Sequence, residues 1–411
     1  MGTADADRLR NAMVDGLRPW GAALSGPVDA AMRTVPRHVF VPGVSLERAY
    51  GPDPVVTHRD GEGVPVSSAS APGTVAGMLE KLDVRPGQRV LEIGAGTGYN
   101  AALLAQLVGP TGSVTTIEYD EAVASAARAA LSGLGVAVTV VHGDGMLGAP
   151  GQPTFDRIVV TAGAWDIPRA WWQQLAEDGR LVVPLRILGL TRTVVFERAG
   201  AVLRSRSVME DGFMPMRGVG AVREQNISVG PGPDLVVRLD DERAVDASAL
   251  QDALDHPAAV CWTGVAVAWG WTEHLDFWLA TLEGFCRLLV SRAAVDDGRL
   301  MTPKGPWGSM GLVEGGTLAY LTTRPGPTED AAMPTYEIGA CGYGPRGADL
   351  AARLAERVRD WDRDGGQGVQ LWIEAHPGSA GRPEVSGVLL AVDKRDSRVL
   401  VLVAEQAAAA V

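Results

Sequence analysis

Between Arg89 and Leu203, short β-branched runs alternate with stretches of helical periodicity. They read RVLEIG, NAALLAQLVG, SVTTIE, EAVASAARAALSGLG, VAVTVVHGD, FDRIVVTAG, IPRAWWQQLAEDG and RLVVPLRI, and close with TRTVVFERAG and AVLRSRSVM. Alternation of this kind restricts a chain to parallel strands joined by right-handed crossover helices, an α/β doubly wound sheet. The last two runs lack an intervening helix and are expected to form an antiparallel hairpin at the sheet edge. Helical periodicity over Asp7 to Arg18, Pro27 to Thr34 and Thr74 to Leu82 predicts a cap ahead of the sheet.

The chain is longer than one packed core ordinarily serves, at 411 residues. VGPGP, Val229 to Pro233, breaks both periodicities and is read as a linker. Residues 1–228 are expected to form the doubly wound domain and residues 234–411 an α+β domain, beginning with a helix over Asp246 to Leu254 and holding seven of the eleven tryptophans. Charge is uneven: 21 basic against 23 acidic residues up to Glu224, a net −2, and 16 against 26 beyond it, a net −10. The second part would repel phosphate backbones, and with no NPPY-type motif or basic patch a nucleic-acid partner is not expected. Cys261, Cys286 and Cys341 are dispersed, without CxxC or a histidine at ligand spacing, so neither a disulfide framework nor a metal site is expected. No apolar run suits a membrane span and MGTADADRLR lacks the apolar core of a secretory signal, which leads us to expect a cytoplasmic protein. The sequence does not set the oligomeric state.

Chemistry concentrates in VLEIGAGTGYNAALL, Val90 to Leu104, a strand entering a glycine loop and then a helix. Gly94, Gly96 and Gly98 would let a ligand reach the backbone and the helix N-terminus. The next strand ends in Glu118, suited to ribose hydroxyls, and the third in VHGDG, where Asp144 suits an adenine amino group. GxGxG with two acidic strand ends fits S-adenosylmethionine better than the GxGxxG of dinucleotide enzymes. Glu92, within the first strand, is read either as a satisfied buried acid or as a carboxylate beside the cofactor's cationic end.

AMRTVPRHVFVP (Ala31 to Pro42), SSASAP (Ser67 to Pro72), VHGDG and the run from FDRIVVTAG to GRLVVPL together resemble the protein-L-isoaspartate O-methyltransferase family over about Asp7 to Leu203. The resemblance implies a Rossmann-like class I methyltransferase fold and S-adenosyl-L-methionine as cofactor. It implies that Ser67, Ser68 and Gly145 lie beside that cofactor, and that Ser70, which matches the family's active-site serine, orients the substrate carboxylate. From sequence alone Ser70 is equally well a helix cap. His38 is expected to be a structural hydrogen-bonding residue. Ser68 and Ala69 stand where the repair enzymes carry Thr-Ile, and VVTHRDGEGVPV (Val55 to Val66) replaces a shorter loop. With GFMPMRG (Gly212 to Gly218) and the added domain, these departures resemble the branch that methylates an aspartate in ribosomal peptide natural products such as lanthipeptides, lasso peptides and graspetides. The expected substrate is then a ribosomally made, cyclised peptide, its ester closing to an aspartimide, with the added domain recognising it. Arg217 is a candidate partner of the substrate carboxylate and Trp165 a candidate rim residue. Isoaspartyl protein repair is the alternative, and a non-catalytic cofactor-binding peptide scaffold is the alternative of another class.

Overall fold

Pro72 at the first helical position and buried Val75, Ala76, Leu79 and Leu82 on one face explain the helix that leads into the sheet, α4 below. The computed structural model describes residues 3–404 apart from 19–20, 22, 242, 269–271, 273, 306–307, 328–333, 380 and 382–384. Three of the counted tryptophans, Trp269, Trp271 and Trp307, lie outside the described residues. The N-terminal cap comprises α1 (Thr3–Gly16), α2 (Gly26–Thr34), α3 (Leu46–Ala49), a hairpin of β1 (Val55–Arg59) and β2 (Pro65–Ala69), and α4 (Pro72–Leu82).

The expected alternation follows as β3 (Arg89–Ile93), α5 (Tyr99–Val108), β4 (Ser113–Glu118), α6 (Glu121–Gly133), β5 (Thr139–His142), β6 (Phe155–Val160), α7 (Arg169–Gln174), β7 (Leu175–Ile187), β8 (Leu190–Ala199) and β9 (Val202–Glu210). β3 pairs in parallel with both β4 and β6, so the strand order reverses beside it. In such sheets the crevice at the carboxyl ends of these strands is where ligands bind. Val90 and Leu91 of β3 are completely buried, one toward each face, as a strand covered on both sides requires.

β8 and β9 form the expected antiparallel hairpin and β7 pairs antiparallel with β8, but the hairpin is not at the sheet edge, because the sheet continues past β9. Three strands from the far end of the chain, β17 (Leu371–Pro377), β18 (Val388–Asp393) and β19 (Ser397–Val403), extend it to ten, with β17 beside β9 through Ala375 opposite Leu203 and Glu374 opposite Arg204. Between them lies a seven-stranded antiparallel sheet of β10 (Gln225–Ser228), β11 (Leu235–Leu239), β12 (Ala259–Ala268), β13 (Phe285–Val290), β14 (Ser309–Glu314), β15 (Thr317–Pro325) and β16 (Thr335–Tyr343). Helix α8 (Leu275–Leu279), α9 (Arg292–Asp296) and α10 (Gly347–Arg363) accompany it. The buried stripe Leu350, Ala351, Leu354, Ala355, Val358 and Trp361 of α10 joins one apolar core with Val183 and Phe196 of the first sheet and Val399 and Val401 of β19.

Two expectations about organisation are therefore corrected. VGPGP is the connection of the β10–β11 hairpin, closed by the Val229 amide on the Leu235 carbonyl with Gly230 at positive φ. Residues 234–411 are not separate from 1–228, since β10 belongs to the second sheet and β17 to β19 belong to the first. The chain leaves the first sheet through residues 211–224. The helix expected over Asp246 to Leu254 is also not formed. The Asp246 carboxylate takes the Ser248 and Ala249 amides, and the segment stays in turns with one short 3-10 stretch at Ala253–Asp255.

Candidate active site

At the carboxyl ends of β3, β4 and β6 lies a cavity of about 480 Å³, within the usual size of small-molecule sites. Its floor is the glycine loop. Gly94 has φ +103, and a Cβ there would stand 2.5 Å from Thr161 Oγ1. Gly96 has φ +50, and its amide donates to Glu118 Oε2 at 2.9 Å. Missing side chains thus leave the cradle open, and the acidic strand end is bound to its backbone. Gly145 closes against Ile93, where a Cβ would meet Cγ2 at 2.4 Å.

Ser67, Ser68 and Ser70 line the opposite wall, delivered by β2 and the turn into α4. Ala71 is the N-cap of α4 and no side chain caps it, so Ser70 does not serve as the cap. The third wall is the segment Gly212 to Arg217. It is pinned by paired bonds to Gly163, whose amide donates to the Met214 carbonyl at 2.8 Å and whose carbonyl receives the Met216 amide at 2.9 Å. Arg217 lies over the Tyr119 ring, 5.2 Å from its centroid, 3.9 Å from Glu118 and 3.6 Å from Asp120.

The cavity therefore gathers Ser67, Ser68, Ser70, Glu92, Gly94, Gly96, Glu118, Gly145 and Arg217. Three expected positions lie elsewhere. Gly98 faces Ala127 and Leu131 of α6, so its missing side chain serves helix packing. The Asp144 carboxylate is already engaged, accepting the Met146 amide at 2.9 Å and the Val219 amide at 2.7 Å. Trp165 is buried under the Arg186 guanidinium, 4.9 Å from its ring centroid, and does not line the cavity. His38, read as structural, bonds the Tyr50 hydroxyl at 2.8 Å. Sequence reasoning missed Thr161, Tyr99, Asn100 and Tyr119 as lining residues; Thr161 and Tyr119 each directly follow a strand end, which is the signal that would have found them.

Glu92 is wholly buried and satisfied, accepting from Thr116 Oγ1 at 2.6 Å and Asn100 Nδ2 at 2.7 Å. Burial disfavours its charged form and raises its pKa to about 7, the two donors opposing that shift. The folded protein then binds this proton more tightly than the unfolded chain does, so the Glu92 contribution to stability is present at low pH and is lost as pH rises from about 4.5 to about 7. The loss amounts to about 3 kcal/mol at most. In urea unfolding at pH 5 and pH 8, wild type should lose stability relative to Glu92→Gln by up to that amount; an unchanged difference would show that Glu92 stays ionised throughout.

A crevice at a strand-order reversal, a glycine cradle and an acidic strand end on that cradle fit an adenosine-bearing methyl donor, and together they define a Rossmann-like class I methyltransferase. The chain belongs to the protein-L-isoaspartate(D-aspartate) O-methyltransferase family, whose model matches residues 8–219, and it is dependent on S-adenosyl-L-methionine. It is 43% identical over 180 residues to a protein-L-isoaspartate O-methyltransferase of Methanopyrus kandleri, spanning 43% of this chain and 77% of that one. A protein of the same name from Methanoregula boonei is 42% identical over 211 residues, 51% of this chain and 93% of its own. A solved structure of a protein-L-isoaspartate O-methyltransferase aligns over 89% of this chain and 96% of that chain at 22% identity, with a TM-score of 0.49. No helix among the described residues is long and apolar enough to cross a membrane.

Proposed function

We propose that the protein methylates the carboxylate of an aspartyl-type side chain, isoaspartyl in the first instance, in a protein or peptide. The observation that carries this reading is Ser70 in the wall facing the glycine cradle, at the position that matches the family's active-site serine. Gly94 and Gly96 would admit the cofactor's backbone approach, Glu118 its ribose, and Ser67 and Ser68 its flank. The bound cofactor supplies an electrophilic methyl group on a sulfonium. Its transfer would form one carboxylate O–C bond and break the S–C bond, leaving a methyl ester and a neutral thioether. A carboxylate of pKa about 3.9 is ionised about a thousandfold over its acid at pH 7, so no general base is required. The chain's work is orientation and exclusion of water. Ser70 donates to the non-attacking oxygen, and Phe213, Met214 and Pro215 present an apolar wall beside it.

A second reading, an aspartate in a cyclised ribosomal peptide with the ester closing to aspartimide, is favoured by one observation: the seven-stranded sheet lies outside the family match. Ser70→Ala should lower single-turnover methyl transfer roughly tenfold to a hundredfold and leave S-adenosylhomocysteine affinity nearly unchanged, the pattern of a contact used in the transition state. Mass spectrometry of isoaspartyl, aspartyl and cyclised peptides, following addition of one methyl group, assigns the substrate. An unchanged rate in Ser70→Ala, or methylation of none of these peptides, overturns the proposal.

A further inference from the structure

Arg37 has no solvent exposure. It opens the short 3-10 turn Arg37–Phe40, and its side chain points under the serine segment. Nε donates to the Ala49 carbonyl at 2.8 Å, and Nη2 donates to the Ala69 carbonyl at 3.3 Å and the Ser70 carbonyl at 2.9 Å. The guanidinium lies 5.1 Å from the centroid of the Tyr99 ring, and Tyr99 lines the cavity. Among the described residues Nη1 has no hydrogen-bond partner and no carboxylate pairs with the group, whose acceptors are all neutral carbonyls.

A buried cation without a counter-charge is costly, and proteins ordinarily pair it. Arginine cannot shed its proton to escape that cost, so the positive charge stays in place. Here it stands directly behind the backbone of the residue read as orienting a carboxylate. The geometry points to Arg37 as a positioning residue for carboxyl methylation: its fork fixes the Ala69–Ser70 backbone, and its unpaired charge is answered by the substrate's carboxylate across that segment. The inference rests on the carboxyl-methylation reading and adds what selects an anionic substrate. Arg37 does not line the cavity itself, so it acts through Ser70 and through the field. In a site of low effective dielectric such a field remains strong over several ångströms.

The test uses full-length wild type, Arg37→Lys and Arg37→Met. Binding is measured, with S-adenosylhomocysteine present, for a peptide carrying an isoaspartyl or aspartyl carboxylate and for the same peptide with that side chain as its neutral amide. Wild type is expected to prefer the carboxylate by about tenfold or more. Arg37→Met should lose that preference and about a hundredfold in kcat/KM, while Arg37→Lys should keep the preference and lose about tenfold in kcat, because an ammonium supplies charge without the fork. Cofactor affinity should stay within about threefold in both, which separates the effect from general unfolding, and the lysine variant carries the test if the methionine variant does not fold. Retained preference and rate in the variants overturn the inference alone. Failure of wild type to bind either carboxylate peptide overturns it together with the carboxyl-methylation reading.

Discussion

Gly94→Val should weaken S-adenosylhomocysteine binding by about a hundredfold or more while leaving a folded protein. At φ +103 any L side chain is strained, by roughly 1–3 kcal/mol, before contacts are considered. The Cβ would also stand 2.5 Å from Thr161 Oγ1, and that hydroxyl cannot retreat freely because it donates to the Ile93 carbonyl at 3.0 Å and the Gly94 carbonyl at 2.6 Å. Both effects move the loop that lines the cavity. Gly73→Ala is the control, since Gly73 lies in the first turn of α4 without positive φ and a Cβ there meets nothing within 4 Å. Calorimetry showing wild-type affinity for Gly94→Val would remove the glycine loop from the cofactor site.

A chain ending at Ser228 should fail to give a soluble, cofactor-binding protein. It would lose β17 to β19 from the first sheet and leave Leu203 beside an open edge. Leu185, Val194 and Phe196, all buried, share their core with Phe277, Trp278, Leu354, Val399 and Val401 of the removed part. Exposing even five such side chains at about 1.5–3 kcal/mol each matches the whole stability of an ordinary domain. Arg192 of β8 would also lose Asp276, its ion-pair partner at 2.7 Å in a site where both side chains are under a tenth exposed. Breaking a buried pair from one side costs about 3–5 kcal/mol. A monodisperse fragment 1–228 that binds S-adenosylhomocysteine as the full chain does would show that the shared sheet is dispensable.

The doubly wound half was legible because its signals are local: β-branched runs, the glycine turn and acidic strand ends all sit within a few residues of what they specify. The return of Leu371–Val403 to the first sheet was not, because Arg204 and Glu374 are 170 positions apart and either strand would suit any sheet with an open edge. Glycine and proline in VGPGP mark a chain reversal as readily as a linker, and only the pairing of Val229 with Leu235 decides between them. At the site, the glycine loop is readable from spacing, whereas the serine segment is legible only through the family resemblance. The engagement of Asp144 by Val219, and the burial of Trp165 under Arg186, depend on where a later segment of chain happens to cross. Arg37 is not legible in the PRH run, since nothing in sequence tells an arginine with a carboxylate partner from one without.

Residues 211–224 carry the third wall of the cavity, Gly212 to Arg217, and form the covalent bridge from the first sheet to the second. Along that short stretch Gly163 pins Pro215 and its neighbours, Asp144 takes the Val219 amide, Arg395 from the β18–β19 turn holds the Val219 carbonyl at 3.0 Å, and Glu224 pairs with Arg186. For anyone wishing to graft a different recognition module onto this enzyme, the apparent seam between its halves is a poor splice point, because it is held at four places to the walls around it. An insertion there would reshape the methylation chamber, whereas the β10–β11 turn at Gly230 to Pro233 is not part of the cavity lining and offers a junction that leaves those walls in place.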